Sequence, residues 1–312
     1  MKAIVINQYG SADELVEQEV PLPEINDDQI LMELKATSIN PVDWKMREGY
    51  LKEMLPYKFP IILGWDAAGI VKKVGNQVTA FQPGDKVFAR PKTNPTGTYA
   101  EYVAVEEDLV CSLPENSSFD EAAAIPLTGQ TAWVALVEIA HIKKGDRVLI
   151  HGGSGGVGHL AIQIAKHFGA YVAATASGKN EAFVQSMGAD EFINYKEQDF
   201  ETLLSDYDIV LDTQGGETQE KSFSVLKRGG TLVSIAAPPD EEKAAEKGIK
   251  TGYFFLEPDG ERLQELAELM KNDELKVTIG KTVPFTEEGL REAHRVSEEH
   301  GVVGKIVVQI GK

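Results

Sequence analysis

Apolar residues come in short runs through the first third of the chain: Ile30-Leu31-Met32-Glu33-Leu34, Ala68-Gly69-Ile70-Val71, Lys86-Val87-Phe88-Ala89 and Tyr102-Val103-Ala104-Val105. Turn residues such as Pro83-Gly84-Asp85 separate them. Runs of this length between turn signals predict strands and a β-rich domain. From about Ser118 the texture changes to helix-length amphipathic stretches alternating with short β-branched runs, the pattern of a parallel sheet. Strands are predicted at Arg147–His151, Tyr171–Thr175, Glu191–Asn194, Asp208–Leu211 and Thr231–Ile235. The closing Gly304-Lys305-Ile306-Val307-Val308 returns to β pattern and is expected to rejoin the first domain. The fold class expected is therefore α/β. A β-rich domain spans residues 1–122 and is completed by 280–312, and a doubly wound parallel-sheet domain spans 123–279. No internal repeat or low-complexity tract is evident.

The strand Arg147–His151 leads into Gly153-Ser154-Gly155-Gly156-Val157-Gly158 and then a helical Leu160-Ala161-Ile162-Gln163-Ile164-Ala165. This is G-x-G-x-x-G in its strand–turn–helix context. One glycine permits the tight turn, one lets backbone approach a pyrophosphate, and one lets helix and strand pack closely. Gly153, Gly155, Gly156, Val157 and Gly158 are thus candidate dinucleotide contacts. NAD-selective sites place Asp or Glu at the end of the second strand, yet no acid occurs between Gly158 and Glu181. Thr175-Ala176-Ser177-Gly178-Lys179 instead offers a hydroxyl and a cation to a 2′-phosphate, so NADPH is the expected cofactor. Asp212 and Gly215-Gly216 follow the apolar Ile209-Val210-Leu211, where open α/β sheets bind ligands, making Gly215 a further candidate.

Charge and composition narrow the partners. The 312 residues carry a formal charge of −18, which argues against a phosphate backbone or anionic membrane as partner. Apolar runs are far below the roughly 20 residues of a membrane span, and no signal peptide is visible ahead of the strand-like Lys2–Ile6. One cysteine, Cys111, forbids an intrachain disulfide and fits a reducing cytoplasm.

A set of segments resembles the zinc-free quinone oxidoreductase branch of the medium-chain dehydrogenase/reductase superfamily, over nearly the whole chain. It comprises Asn40-Pro41-Val42-Asp43, Gly64-Trp65-Asp66-Ala67-Ala68-Gly69, Pro83-Gly84-Asp85-Lys86-Val87, Gly97-Thr98-Tyr99-Ala100-Glu101-Tyr102, Pro126-Leu127-Thr128-Gly129-Gln130-Thr131-Ala132 and Asp212-Thr213-Gln214-Gly215-Gly216. The resemblance implies a GroES-like catalytic domain interrupted by a Rossmann domain, with cofactor and substrate between them. It implies Asn40, Asp43 and Thr128 near the nicotinamide and substrate, and Ser177, Lys179 and Tyr195 near the adenine ribose phosphate. It also implies a homodimer and a small quinone or conjugated enone as substrate.

The departures carry information too. Zinc members of the superfamily have Cys in the segment of Asn40 and Gly-His-Glu where this chain has Gly64-Trp65-Asp66. No histidine pair stands at metal-ligand spacing, and most of the six histidines are expected at the surface or at strand ends. Tyr50 sits one residue before the position where relatives often have a tyrosine, and is expected to cap apolar Leu51 and Leu55. Arg47 is expected at the surface, and Phe254-Phe255 in the core. Asn40, before Pro41, also suits a helix cap with Asp43 in the first turn, as Thr128 suits an N-cap. The function expected is zinc-independent hydride transfer from NADPH to a quinone or α,β-unsaturated carbonyl. The alternatives are an NADPH-binding module with little turnover and a 2-enoyl thioester reductase.

Overall fold

The structure, a computed structural model, describes residues 1–311 and is mixed α/β throughout. It divides into two compact units, Met1–Leu127 with Glu257–Asp273 and the residues from Val277 onward, and Thr128–Leu256 with Glu274–Lys276.

The first unit is a GroES-like assembly of sheets. Strand Gln29–Ile39 lies at its centre, antiparallel to Ala67–Val74, Tyr102–Glu106 and Lys305–Gln309. Its residues from Ile30 to Ile39 are buried on both faces, apart from the half-buried Glu33 and Lys35. The outer strands Lys86–Ala89, Val110–Ser112 and Ile279–Pro284 complete the sheet. A smaller sheet pairs Lys2–Ile6 with Val16–Glu19 and Ile61–Ile62. The core between them is built from Ile4, Ile6, Met32, Leu34, Val87 and Val308. Trp65, where zinc members carry a ligand, is fully buried in this core and donates its indole N–H to Asn94 O at 3.3 Å.

The second unit is a six-stranded sheet whose pairings are all parallel. Its order is Glu191–Asn194, Tyr171–Ala176, Arg147–His151, Tyr207–Asp212, Leu226–Ser234, Lys250–Tyr253. The first strand of the unit is central, with successive strands added outward on one side and then the other. That reversal creates a switch point at its C-terminal end, where ligands of open α/β sheets bind.

Each expected strand is present: Lys86–Ala89, Arg147–His151 and Glu191–Asn194 keep their expected bounds, Gln29–Ile39 is longer than its expected run, and the strand expected at Thr231–Ile235 runs from Leu226 to Ser234. The segment between the two expected domain limits divides differently. Helix Gly260–Lys271 packs on strand Val110–Ser112 and the adjoining turn, with Asn116 Nδ2 donating to Met270 O at 3.0 Å, and groups with the first unit. Lys276 exchanges two 2.8 Å hydrogen bonds with the Gln163 side chain and groups with the second.

Candidate active site

The glycine motif occupies the switch point. Strand Arg147–His151 ends at the turn, and helix Gly158–His167 begins on Val157 with no side-chain cap. Gly153 N–H is committed to Thr175 O and Gly155 N–H to Gly152 O, both at 2.9 Å. The N–H groups of Gly156, Val157 and Gly158 have no partner among the described residues. A Cβ on Gly158 would stand 2.2 Å from Gly152 O, so only glycine allows the helix to start this close to the strand end. Free N–H groups at the positive end of this ten-residue helix form an anion cradle, and these residues fit a dinucleotide pyrophosphate.

The ends of the next two strands lie beside this cradle. Ala176 pairs in register with Asn194, so the loops after them start side by side. Asn194 Oδ1 then accepts from Gly178 N–H at 3.1 Å, tying the segment Ser177–Lys179 to the strand end that carries Tyr195. Asn180 Nδ2 donates to Ser154 Oγ at 3.0 Å, joining the same segment to the glycine loop. The Ser177 side chain makes no cap hydrogen bond, Lys179 is exposed, and Tyr195 is 58% exposed. The structure therefore brings Ser177, Lys179 and Tyr195 to one edge, with a hydroxyl and a cation uncommitted there. Gly215 differs: its N–H is already given to Asp212 Oδ1 at 2.9 Å, within the turn that starts helix Gly216–Ser222.

A cavity of about 310 Å³ opens at this end of the sheet, lined by His151, Thr175, Tyr195, Phe200, Gln214 and Thr218 among others. Reading the sequence missed His151 as a site residue. Ser222 Oγ donates to Thr218 O, so it accepts from His151 Nε2–H, while Nδ1 accepts from Thr175 Oγ1 at 3.1 Å. Burial pushes this imidazole down to about 4, so it is neutral and fixes the Thr175 hydroxyl. Position five in an apolar strand gave no sign of that role.

In the first unit, Asn40 and Asp43 are fully buried. Asn40 caps helix Pro41–Arg47, its N–H bonded to Asp43 Oδ2 at 2.8 Å. Its side-chain Oδ1 accepts from Lys305 Nζ at 2.5 Å and its Nδ2 donates to Asp66 Oδ2 at 2.7 Å. Ser38 Oγ donates to the same Asp66 oxygen at 2.5 Å, and Leu127 N–H to Asp66 Oδ1 at 2.7 Å. Lys305 Nζ also reaches Ile39 O at 3.0 Å and stands 3.5 Å from Asp66. Burial holds the ammonium below its ordinary range, with the two aspartates partly offsetting that. Thr128, 3% exposed, is the third residue of helix Pro126–Trp133 and not its cap.

A second buried chain meets Asp43. Arg47 NH1 donates to His294 Nδ1 at 3.0 Å, which leaves the proton on Nε2 facing Tyr99 OH at 3.0 Å, and Tyr99 OH donates to Asp43 Oδ2 at 2.7 Å. Burial drives His294 down to about 3, with the Arg47 charge adding to it. Asp43 rises to about 7 through burial, which the Asn40 N–H and Tyr99 hydroxyl only partly oppose. Its Oδ1 has no hydrogen-bond partner.

Several expectations are corrected here. Arg47 is fully buried, held by Gly10 O, His294, Glu48 and Glu298. Of the six histidines, His141, His167 and His300 are exposed and His151 ends a strand, as expected, while His159 and His294 are buried in helices. Tyr50 is 71% exposed and meets Trp44 edge-on, with ring centroids 6.5 Å apart, and Phe255 is 39% exposed. The burial of Arg47 and His294 depends on segments distant in sequence.

A Rossmann unit with an open anion cradle and a GroES-like unit with a buried polar cluster define a dinucleotide-dependent dehydrogenase or reductase of two-unit type. Residues 26–115 match the alcohol dehydrogenase GroES-like domain, and residues 187–308 match the zinc-binding dehydrogenase family. The 2-methylene-furan-3-one reductase of Solanum lycopersicum is 38% identical, covering 99% of this chain and 79% of the relative. The quinone oxidoreductase from Coxiella burnetii is 36% identical with a TM-score of 0.92, over 99% of each chain. The Escherichia coli quinone oxidoreductase complexed with NADPH is 28% identical with a TM-score of 0.89, over 99% of this chain and 100% of that one. The chain belongs to the medium-chain dehydrogenase/reductase superfamily, in its quinone oxidoreductase branch.

The residues do not fit the metal in one family's description. An amide and a buried tryptophan hold the ligand positions, and an ammonium lies 2.5 Å from that amide, a cation that would repel another. Among the described residues no three His, Cys, Asp or Glu side chains gather as a metal-holding group.

Proposed function

We propose that this protein reduces quinones and α,β-unsaturated carbonyls with NADPH and without a metal ion. The observation that carries the reading is the cluster around Asn40: an amide, a carboxylate and an ammonium in place of a Lewis-acid site. When bound, the reduced dinucleotide supplies a hydride. The N–H groups of Gly156, Val157 and Gly158 would hold its pyrophosphate, and Ser177, Lys179 and Tyr195 its 2′-phosphate edge, with Gly153 and Gly155 giving close approach. Gly215 would contribute through shape, its N–H being spent. A saturated ketone gathers the incoming charge on one isolated oxygen, where a Lewis acid normally contributes several kcal/mol. A conjugated acceptor spreads that charge, so neutral donors such as the Asn40 amide and the Thr128 hydroxyl suffice. Asp43 fixes the cap that presents Asn40, and water supplies the proton.

The similarity to a reductase of an exocyclic enone and to an NADPH-bound quinone oxidoreductase supports this choice. We further propose a cytoplasmic homodimer. The buried lone thiol of Cys111 suits a reducing compartment. Edge strand Lys250–Tyr253, with Tyr253 half exposed, offers a pairing surface. The deciding assay compares NADPH oxidation by 1,4-benzoquinone, an alkenal and a saturated ketone with NADP-dependent oxidation of a primary alcohol. The conjugated acceptors should lead in kcat/KM. Preference for the saturated ketone or the alcohol would refute the reading.

A further inference from the structure

We propose that Lys305 and Asp66 are positioning residues for reduction: they lock the Asn40 amide in one orientation, so that a single N–H remains to meet the substrate oxygen on which charge collects. This rests on the reductase reading above.

A side-chain amide has one acceptor end and two N–H donors at the other, and its two faces exchange by a half turn. Here Oδ1 meets an ammonium at 2.5 Å and Nδ2 a carboxylate at 2.7 Å. The half-turned amide would set NH2 against NH3⁺ and oxygen against carboxylate, so the ion pair selects one state. Both ions are themselves fixed. Lys305 opens the strand whose Ile306 pairs with Ile39, and its Nζ also binds Ile39 O. Asp66, immediately before strand Ala67–Val74, accepts from Ser38 and Asn40 at one oxygen and from Leu127 N–H at the other. One Asn40 N–H is left with no partner among the described residues.

The ammonium has a second effect. Drawing electron density through the amide from Oδ1, it strengthens the remaining N–H as a donor. In the step this serves, hydride adds to the β-carbon of an enone, the C=C pair shifts, and the carbonyl oxygen takes up the charge. A proton from water at the α-carbon then gives the saturated ketone, and the cofactor leaves oxidised.

The test is a double-mutant cycle read as NADPH oxidation by an alkenal. Asn40→Ala should lower kcat about 100-fold, as loss of an oxyanion donor does. Lys305→Met should lower it about 10-fold while KM for NADPH changes less than about twofold. Because Lys305 acts through Asn40, the double variant should match Asn40→Ala alone. Additive losses, or wild-type kcat in Lys305→Met, would overturn the proposal. Should Lys305→Met not fold, wild-type protein labelled with 15N-asparagine carries the test, the Asn40 side chain being assigned by its loss in Asn40→Ala. One N–H in slow exchange, and displacement of the other on adding quinone to the oxidised-cofactor complex, are expected; two fast-exchanging N–H groups would overturn it. Wild type inactive with every acceptor would refute the reductase reading instead, and the amide resonances would still decide the orientation.

Discussion

Two alanine substitutions in the glycine loop separate binding from folding. A Cβ on Gly155 meets only Gly152 O, at 3.3 Å, and otherwise faces open space. Gly155 is outside the left-handed region, so Gly155→Ala should leave stability within about 0.5 kcal/mol of wild type. The methyl does take up room where a phosphate must approach Gly156, Val157 and Gly158. Denying the phosphate one charge-assisted hydrogen bond costs about 1.5–3 kcal/mol, raising Kd for NADPH roughly 10- to 150-fold. Gly158→Ala is different in kind. Its Cβ falls 2.2 Å from Gly152 O, 2.8 Å from Gly152 C and 2.9 Å from Gly153 Cα, all backbone of the turn itself. Strand end and helix must part, at an overpacking cost of about 1–3 kcal/mol, so both stability and binding should fall. The assay is NADPH titration by fluorescence beside urea unfolding for each variant. If Gly155→Ala folds normally and binds NADPH like wild type, the phosphate does not sit on this loop.

Three further outcomes follow. Lys179→Ala should weaken NADPH binding about 10-fold, near the lower limit for a solvated charge-assisted contact, and leave NADH unchanged; equal binding of the two cofactors by wild type would contradict the 2′-phosphate assignment. Unfolding at acid pH has a definite sign: His294 and His151, depressed to about 3 and about 4 in the fold, take up protons when unfolded below about pH 6.5, while Asp43, raised to about 7, releases one. The net uptake approaches one proton below about pH 5.5, so stability should fall by about 1 kcal/mol per pH unit from there down to about pH 4, and urea midpoints unchanged between pH 6.5 and 4.5 at fixed protein concentration would refute it. Light scattering should give a dimer mass at micromolar concentration, and a monomer mass would reject pairing through the Lys250–Tyr253 edge.

What could be read from the sequence was what is local in sequence. The cradle is one strand, one turn and one helix in uninterrupted succession, so spacing alone marks it, and the parallel strands announce themselves as apolar runs between helices. The Asn40 cap was legible for the same reason, since Asn40, Pro41 and Asp43 lie within four residues. Its electrostatic setting was not, because Lys305 and Asp66 are 265 and 26 residues away. Arg47 shows the limit most clearly. A cation on a seven-residue helix has no periodicity to betray its face, and its buried partners come from Gly10, His294 and Glu298. Helix Gly260–Lys271 likewise follows a Rossmann-type strand in sequence but packs on Val110–Ser112, a contact no pattern encodes.

The buried cluster also bears on why the polar residues are present at all. Taking Lys305 and Asp66 out of water costs several kcal/mol per ion, which their mutual attraction barely offsets, and well-packed apolar residues of similar volume are often as stable or more so. Stability is thus a poor reason for an ammonium and a carboxylate at 3% and 0% side-chain exposure. Their geometry suggests a better one. The hydrogen bonds that Asp66 and Lys305 make go to Ser38, Ile39, Asn40 and Leu127, two of them to the Asn40 amide itself. An apolar replacement would fill the space and leave the Asn40 amide free to turn over. What the ion pair supplies is orientation, the property that preorganised donors need and that hydrophobic packing does not provide.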